Sequence, residues 1–142
     1  MSAIGGIHHL DCCTMCPLAA TPTAGPLVAH VLAVETERSG IVLVDTGIGD
    51  AARRDPARWL GRAFTTAIRP DRHPDRSARA HLVRLGLDPN DGRHIVVTHL
   101  DLDHAGGLAD FPRAKVHVHH DELAAAGAPT WRERERYRAI QW

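Results

Sequence analysis

Four side chains of metal-binding type stand within six residues of one another, directly after a short apolar run. They are His99, Asp101, Asp103 and His104. At the end of a strand, residues two apart face the same way, so His99 and Asp101 can enter one cleft together. After the turn that follows, Asp103 and His104 can approach the same cleft from a second direction. Imidazole and carboxylate groups are ligands that zinc, manganese and iron all accept, so this spacing predicts a metal site.

Three other interpretations of this segment compete with a metal site. A calcium-binding loop of the EF-hand type, counted from Asp101, fails because its fifth and twelfth positions are Ala105 and Pro112. Phosphatases of the haloacid dehalogenase type also place two aspartates two apart after a strand, but the Thr or Val that follows in their motif is absent. A capped helix start would explain Asp103 as an N-cap and would leave both histidines unexplained.

The elements that must position these residues alternate in a regular order. Apolar periodicity and turn residues predict strands over residues 3–13, 27–36, 40–47, 94–99 and 114–120, and a loop over 17–26. Helices are predicted over residues 55–64, 73–89, 121–127 and 129–142. This order opens as a β-meander and continues as an α/β (α+β layered) arrangement, in which a mixed sheet is covered by helices.

The composition narrows the classes of function. A chain of 142 residues suits one domain, and its net charge of zero favours neither nucleic acid nor an anionic membrane surface as a partner. No apolar run approaches the roughly 20 residues of a membrane helix, and no secretory signal is expected. Three cysteines do not make a self-contained disulfide framework, which favours a reduced, cytoplasmic protein.

Two motifs, taken together, resemble those of the metallo-β-lactamase fold hydrolases. The segment "THLDLDHAGGL" (98–108) resembles the signature of that superfamily, H-x-H-x-D-H. The segment "GIVLVDTGIGD" (40–50) resembles its upstream strand that ends in Asp-Thr-Gly. The order and separation of the motifs match as well, with a helix between them. The opening "IHHLDCCTMCP" (7–17) is similar to a subgroup near the N-acyl homoserine lactonases.

The resemblance implies an αβ/βα sandwich that holds two metal ions, usually zinc, with manganese or iron as alternatives. A hydroxide that bridges the metals would attack the carbonyl carbon of a small lactone or ester. By position, His99 and Asp101 would bind the first metal, and Asp103 and His104 the second. Asp103 would also assist protonation of the leaving group. Asp45 would orient the histidines without binding a metal itself.

The chain departs from the superfamily pattern in two ways. Asp101 stands where the signature has a histidine, which adds negative charge and makes manganese or iron more acceptable. The superfamily also takes ligands from its C-terminal half, and no histidine follows His120 in this chain. A catalytic zinc usually has three protein ligands, whereas each metal here would have two. We therefore expect residues 1–142 to be a metallo-β-lactamase-like domain that lacks its C-terminal half, which leaves apolar surface uncovered.

The primary prediction is thus a metal-dependent hydrolase of lactones or esters, weakly active or inactive as this chain alone. A complementary C-terminal half or a second chain would supply the missing ligands. The alternative is a truncated, non-catalytic domain that binds a metal or a partner. An iron-dependent sulfur dioxygenase of the same superfamily is a minor alternative.

Two further groups of residues attract attention. A separate zinc site from His9, Cys12 and Cys16 matches no strong spacing pattern, and buried or loop-lining thiols are favoured instead. The cluster "HVHH" (117–120) is predicted to be a polar strand end, with His117 and His119 on one face. The Arg/Glu run "RERERYR" (132–138) is predicted to be a solvated helix face.

Overall fold

The computed structural model describes residues 3–18 and 25–142, so residues 19–24 of the predicted loop lie outside the described residues. One mixed sheet of five strands, in the order β1-β2-β3-β4-β5, organises the chain. The strands are β1 (Ile4–Met15), β2 (Leu27–Thr36), β3 (Gly40–Val44), β4 (Gly92–Val96) and β5 (Lys115–His117). The pairs β1–β2 and β2–β3 are antiparallel, whereas β3–β4 and β4–β5 are parallel. This arrangement confirms the predicted meander followed by α/β layering.

Within residues 3–18 and 25–142, six short α-helices connect and cover these strands. They are α1 (Asp50–Arg54), α2 (Pro56–Trp59), α3 (Arg62–Ile68), α4 (Ala78–Arg84), α5 (Leu102–Ala105) and α6 (His120–Gly127). The helix predicted over 55–64 is divided, because Gly61 has a φ of 85° and separates α2 from α3. The Asp55 side chain caps α2 as expected, accepting a hydrogen bond from the Arg58 N–H. Over the described ranges, no helix has the length and apolar character needed to span a membrane.

Two predictions for the C-terminal third were wrong. The strand predicted over 114–120 ends at His117, and His119 instead caps α6 by accepting a hydrogen bond from the Asp121 N–H. His117 and His119 therefore do not share a strand face. The helix predicted over 129–142 is replaced by turns and a 3-10 segment, Ala139–Gln141. Tyr137 and Gln141 are buried, so tertiary packing overrides the local helix preference of the Arg/Glu run.

The two faces of the sheet differ in how well they are covered. On the inner face, Ala33, Leu43 and Ile95 are fully buried in one cluster with Leu82 of α4. Strand register places His9, Leu32, Val44 and Val96 together on the opposite, outer face. There the side chains of Ile7, Val28 and Val96 are 54%, 46% and 42% exposed. The outer face therefore combines exposed apolar side chains with polar ones such as His9 and His94, and the described residues leave it uncovered.

The buried side chain of Arg53 links the loop before α4 to the end of β1 through hydrogen bonds. The Arg53 guanidinium donates to the carbonyls of Cys12 at 2.7 Å, His73 at 2.8 Å and Arg76 at 3.1 Å. It also pairs with the Asp71 carboxylate at 3.1 Å. Because its charge is paired and its donors are used, the cost of burying this cation is offset.

Close backbone packing joins the segment after β3 to the segment around α5. The Thr46 N–H and hydroxyl both donate to the His104 carbonyl at 2.8 Å, and the Gly107 N–H donates to the Thr46 hydroxyl at 3.1 Å. A Cβ atom at Gly107 would stand 2.6 Å from the Thr46 carbonyl oxygen. The glycine pair after His104 is therefore required by this contact, which brings the two motifs together.

We expect Gly107→Ala to lower the free energy of unfolding by about 2–3 kcal/mol, since the added methyl group forces a shift of backbone. Urea denaturation measures the change. Gly127→Ala is the matched control, because a Cβ there meets no atom within 4 Å. We expect the control to leave stability unchanged or to raise it by less than about 1 kcal/mol. Equal stability of both variants would contradict the close packing described above.

A second prediction concerns Asp110, whose carboxylate accepts a hydrogen bond from the Asp50 N–H at 2.9 Å. Burial raises the pKa of Asp110 from 3.8 to about 6, against the opposing effect of that hydrogen bond. The folded state thus holds this proton more tightly than the unfolded state, so the stability from Asp110 is largest below pH 3.8 and declines as the pH rises to about 6.

We therefore expect Asp110→Asn, which keeps an acceptor oxygen, to raise stability at pH 7 by about 1–3 kcal/mol. The gain should shrink towards zero as the pH falls below 4, because the wild-type carboxyl is then neutral. Urea denaturation between pH 4 and 7.5 measures the difference, with Asp75→Asn on the exposed surface as the control. A gain independent of pH would contradict the prediction.

Candidate metal centre

Asp45 is the centre of a hydrogen-bond network that joins the ends of β3 and β4. It is 4% exposed and adopts a left-handed backbone conformation, with a φ of 62°. The Thr98 N–H donates to its Oδ1 at 2.8 Å, and the Thr98 hydroxyl donates to its Oδ2 at 2.8 Å. His104 Nδ1 lies 2.8 Å from Oδ2, and since a carboxylate only accepts, this nitrogen carries the proton. In the neutral ring, the Nε2 atom of His104 is thereby left as the free donor of an electron pair.

The two candidate histidines lie against each other. The ring centroids of His99 and His104 are 3.8 Å apart with an interplanar angle of 42°. His99 Nδ1 lies 3.0 Å from the Thr98 hydroxyl, so its Nε2 is also turned away from this contact. The Nε2 atom of His99 lies 3.7 Å from Asp101 Oδ2, and that of His104 lies 3.6 Å from Asp103 Oδ2. The structure thus brings the four predicted ligands together as two His/Asp pairs.

These separations fit the chemistry of zinc. Tetrahedral ligands with bonds of about 2.0–2.1 Å lie about 3.3 Å from one another, within a few tenths of an ångström of both His/Asp pairs. Within residues 3–18 and 25–142, no group of three or more His, Cys, Asp or Glu side chains is placed to hold a metal ion. The four candidate residues fit a metal by donor type and by pairwise spacing, but among the described residues they do not form a group of three or more ligands.

Charges around His104 favour its protonated form when no cation is near. Burial lowers the pKa of this histidine, but the hydrogen bond with Asp45 and the negative charge of Asp103 raise it by more. The net pKa lies above the ordinary value for histidine. Concentrated negative charge that stabilises an imidazolium will also attract a metal cation.

Arg136 contacts the site, and the sequence motifs did not predict it. Its Nε and one terminal nitrogen lie 2.9 and 2.8 Å from Asp101 Oδ1. The contact joins residues 35 positions apart, and the only signal in the sequence was the Arg/Glu run that contains Arg136. Arg136 also borders a cleft of about 260 Å³ beside the candidate ligands, with Phe64 and Leu102 in its apolar lining.

The other histidines and cysteines do not join the site. His9 Nδ1 lies 3.0 Å from His30 Nε2 on the sheet surface, whereas Cys12 is fully buried, so the His9, Cys12 and Cys16 site is not formed. Burial raises the pKa of the Cys12 thiol to about 12, which keeps it protonated and unreactive. His117 pairs with His94 at 2.9 Å between Nε2 and Nδ1.

Comparison with known families agrees with this geometry. Residues 24–141 match the metallo-beta-lactamase superfamily profile. The chain belongs to this superfamily. A probable metallo-hydrolase of Mycobacterium tuberculosis is 45% identical over 137 residues, which cover 96% of this chain and 42% of the relative. An N-acyl homoserine lactonase of Azorhizobium caulinodans is 32% identical over 97 residues, or 68% of this chain and 36% of the lactonase. The chain spans less than half the length of these superfamily relatives.

Solved structures of superfamily members share the fold. An N-acyl homoserine lactone hydrolase, with the product N-hexanoyl-L-homoserine bound at its catalytic metal centre, aligns with a TM-score of 0.70 at 26% identity. The alignment covers 96% of this chain and 57% of that hydrolase. A probable metal-dependent hydrolase from Staphylococcus aureus aligns with a TM-score of 0.73 at 23% identity, over 98% of this chain and 56% of that protein. These alignments confirm the layered α+β architecture expected from the motifs.

Asp45→Asn tests the network around His104. The variant places an amide NH₂ near His104 Nδ1, which favours a proton on Nε2 and removes the free electron pair there. We expect zinc affinity to fall by about 10–100-fold, the usual effect of removing a group that orients a ligand. Competition with a chromophoric chelator measures the affinity, and circular dichroism verifies the fold. Asp75→Asn is the exposed control, and an unchanged affinity in Asp45→Asn would rule out the orienting role.

Proposed function

We propose that this chain carries one half of the active site of a metal-dependent hydrolase that acts on small lactones or esters. The observation that supports this most directly is the convergence of two His/Asp pairs beside a buried carboxylate that fixes one of the imidazoles. Membership of the metallo-β-lactamase superfamily and the naming of relatives as metallo-hydrolases agree with it.

In this proposal each His/Asp pair holds one zinc ion, with manganese or iron as alternatives. His99 and Asp101 hold the first, and His104 and Asp103 hold the second. Zinc in such a site supplies a Lewis acid that polarises a carbonyl oxygen and lowers the pKa of water. In the same proposal Asp103 transfers a proton to the leaving group, and Asp45 keeps His104 in the tautomer that binds a metal.

A small lactone or ester is the substrate class that we favour. Several relatives are named N-acyl homoserine lactonases, and one aligned hydrolase holds a homoserine product at its metal centre. The cleft beside Asp101 and Asp103 has an apolar lining that includes Phe64. Such a lining suits the hydrocarbon part of an acyl compound and does not by itself select a particular chain length.

We further propose that the functional domain is completed by residues from outside this chain. Each candidate metal has two donors, and a catalytic zinc usually has three protein ligands. The exposed apolar side chains on the outer face of the sheet, such as Ile7 and Val28, are consistent with a further covering layer. A complementary C-terminal half or a second chain would provide both the missing ligands and this layer.

The presence of only two candidate donors per metal among the described residues also supports a second candidate function, a non-catalytic domain that binds a metal or a partner. Two donors per ion give weaker binding than three, and no third His, Cys, Asp or Glu joins either pair within the described ranges. The two candidates differ in what happens when the missing part is supplied.

The test compares this chain alone with a hybrid, in which the part of the M. tuberculosis relative outside the match follows Trp142. Zinc content and hydrolysis of N-hexanoyl homoserine lactone are measured for both. We expect the chain alone to be at least about a hundredfold slower than the hybrid, because partners of the metal site are missing. A hybrid that binds zinc without hydrolysing the lactone or aryl esters would favour the second candidate.

Asp103→Asn in the hybrid tests the proton-transfer role. We expect kcat to fall by about a hundredfold or more, the scale of general acid catalysis. Asp121→Asn, an exposed carboxylate at the start of α6, serves as the matched control. An unchanged kcat in Asp103→Asn would show that Asp103 takes no part in the chemistry. In the preceding comparison, full activity of the 142-residue chain alone would refute the half-site proposal.

A further inference from the structure

The two oxygens of Asp101 have separate surroundings. Oδ1 accepts a hydrogen bond from Arg136 Nε at 2.9 Å and lies 2.8 Å from a terminal nitrogen of the same guanidinium. Oδ2 faces His99 Nε2 at 3.7 Å. A single oxygen of the carboxylate is therefore turned towards the neighbouring candidate ligand, while the other is held by a guanidinium.

Residues before and after Arg136 in the chain make contacts that hold this segment in place. The Thr130 hydroxyl and N–H donate to the Glu133 carboxylate at 2.7 and 3.0 Å, which shapes the turn before it. Tyr137 follows it directly and is buried in the core cluster with Leu100. Arg138 then donates to the Arg58 carbonyl at 3.0 Å. The guanidinium thus reaches Asp101 from a segment that is anchored on both sides, while the Arg136 side chain is 47% exposed and that of Asp101 is 27% exposed.

The charge of the Arg136–Asp101 pair matters because Asp101 stands where the superfamily signature has a histidine. A neutral imidazole is a one-atom donor, whereas a free carboxylate brings a negative charge and two oxygen donors. Hard, oxygen-preferring ions such as manganese gain more from that change than zinc does. Arg136 cancels the added charge and occupies the second oxygen, so that Asp101 presents one donor atom and no net charge.

We propose that Arg136 is a positioning residue that sets the metal preference of the first site in favour of zinc. It makes Asp101 act as a single-oxygen, charge-compensated ligand, similar to the imidazole that it replaces. This inference rests on the proposed function, since it assumes that Asp101 and His99 share a metal ion. It adds a residue from the C-terminal segment that neither motif contains.

The test measures the zinc and manganese affinities of the full chain and of its variants. Arg136→Met keeps the length of the side chain and removes its charge and donors. We expect the preference for zinc over manganese to fall by about tenfold, the scale of one charge-assisted hydrogen bond. Zinc is measured by chelator competition and manganese by the electron paramagnetic resonance of the free ion. Arg134→Met is the matched control, because Arg134 is exposed in the same turn.

A double-mutant cycle with Asp101→His isolates the contact. In the Asp101→His background we expect Arg136→Met to leave the metal preference unchanged, because no second carboxylate oxygen remains to be released. An unchanged preference in Arg136→Met alone, or an equal change in the Asp101→His background, would overturn the role of Arg136. Failure of the wild-type chain to bind either metal would also overturn this inference, whereas the half-site proposal is decided separately by the zinc content and activity of the hybrid.

Discussion

The buried carboxylate of Asp45 is the interaction on which the rest of the site depends. It accepts from the Thr98 backbone and hydroxyl and from His104, so one side chain ties the end of β3 to the end of β4 and to the start of the α5 segment. Its left-handed backbone conformation is costly for a residue other than glycine, and three hydrogen bonds offset that cost. Parallel pairing of β3 with β4 brings these strand ends to one edge of the sheet, where the candidate ligands gather.

Backbone packing makes this arrangement rigid. Thr46 donates a hydrogen bond to the His104 carbonyl and accepts one from the Gly107 N–H. The backbones approach so closely there that no side chain fits on Gly107. Two contacts therefore position His104, one through its backbone carbonyl and one through the Nδ1 atom of its ring. By contrast, Asp101 lies outside this network and takes its orientation from a distant arginine. His104 is thus positioned by the core of the fold, whereas Asp101 depends on the C-terminal segment.

The parts of the structure that the sequence predicted well are those controlled by short-range patterns. Strands with apolar alternation, the Asp55 cap of α2 and the relation of Asp45 to His104 follow from periodicity, from local turn chemistry and from recognisable motifs. The C-terminal segment could not be predicted in this way. Its composition favours a helix, but burial of Tyr137 and Gln141 decides its course, and such tertiary contacts leave no periodic signal. The partnership of Arg136 with Asp101 is hidden for the same reason.

The last strand of the sheet has a consequence for how the molecule behaves in solution. An exposed sheet edge offers unpaired N–H and carbonyl groups as a template for strand addition by other chains. The strand β5 is only three residues long, and its first residue is Lys115, so this edge supplies few groups and a repelling charge. Self-association through edge-to-edge pairing is therefore disfavoured at β5, whereas β1, at the opposite edge of the sheet, is 12 residues long and offers a longer template.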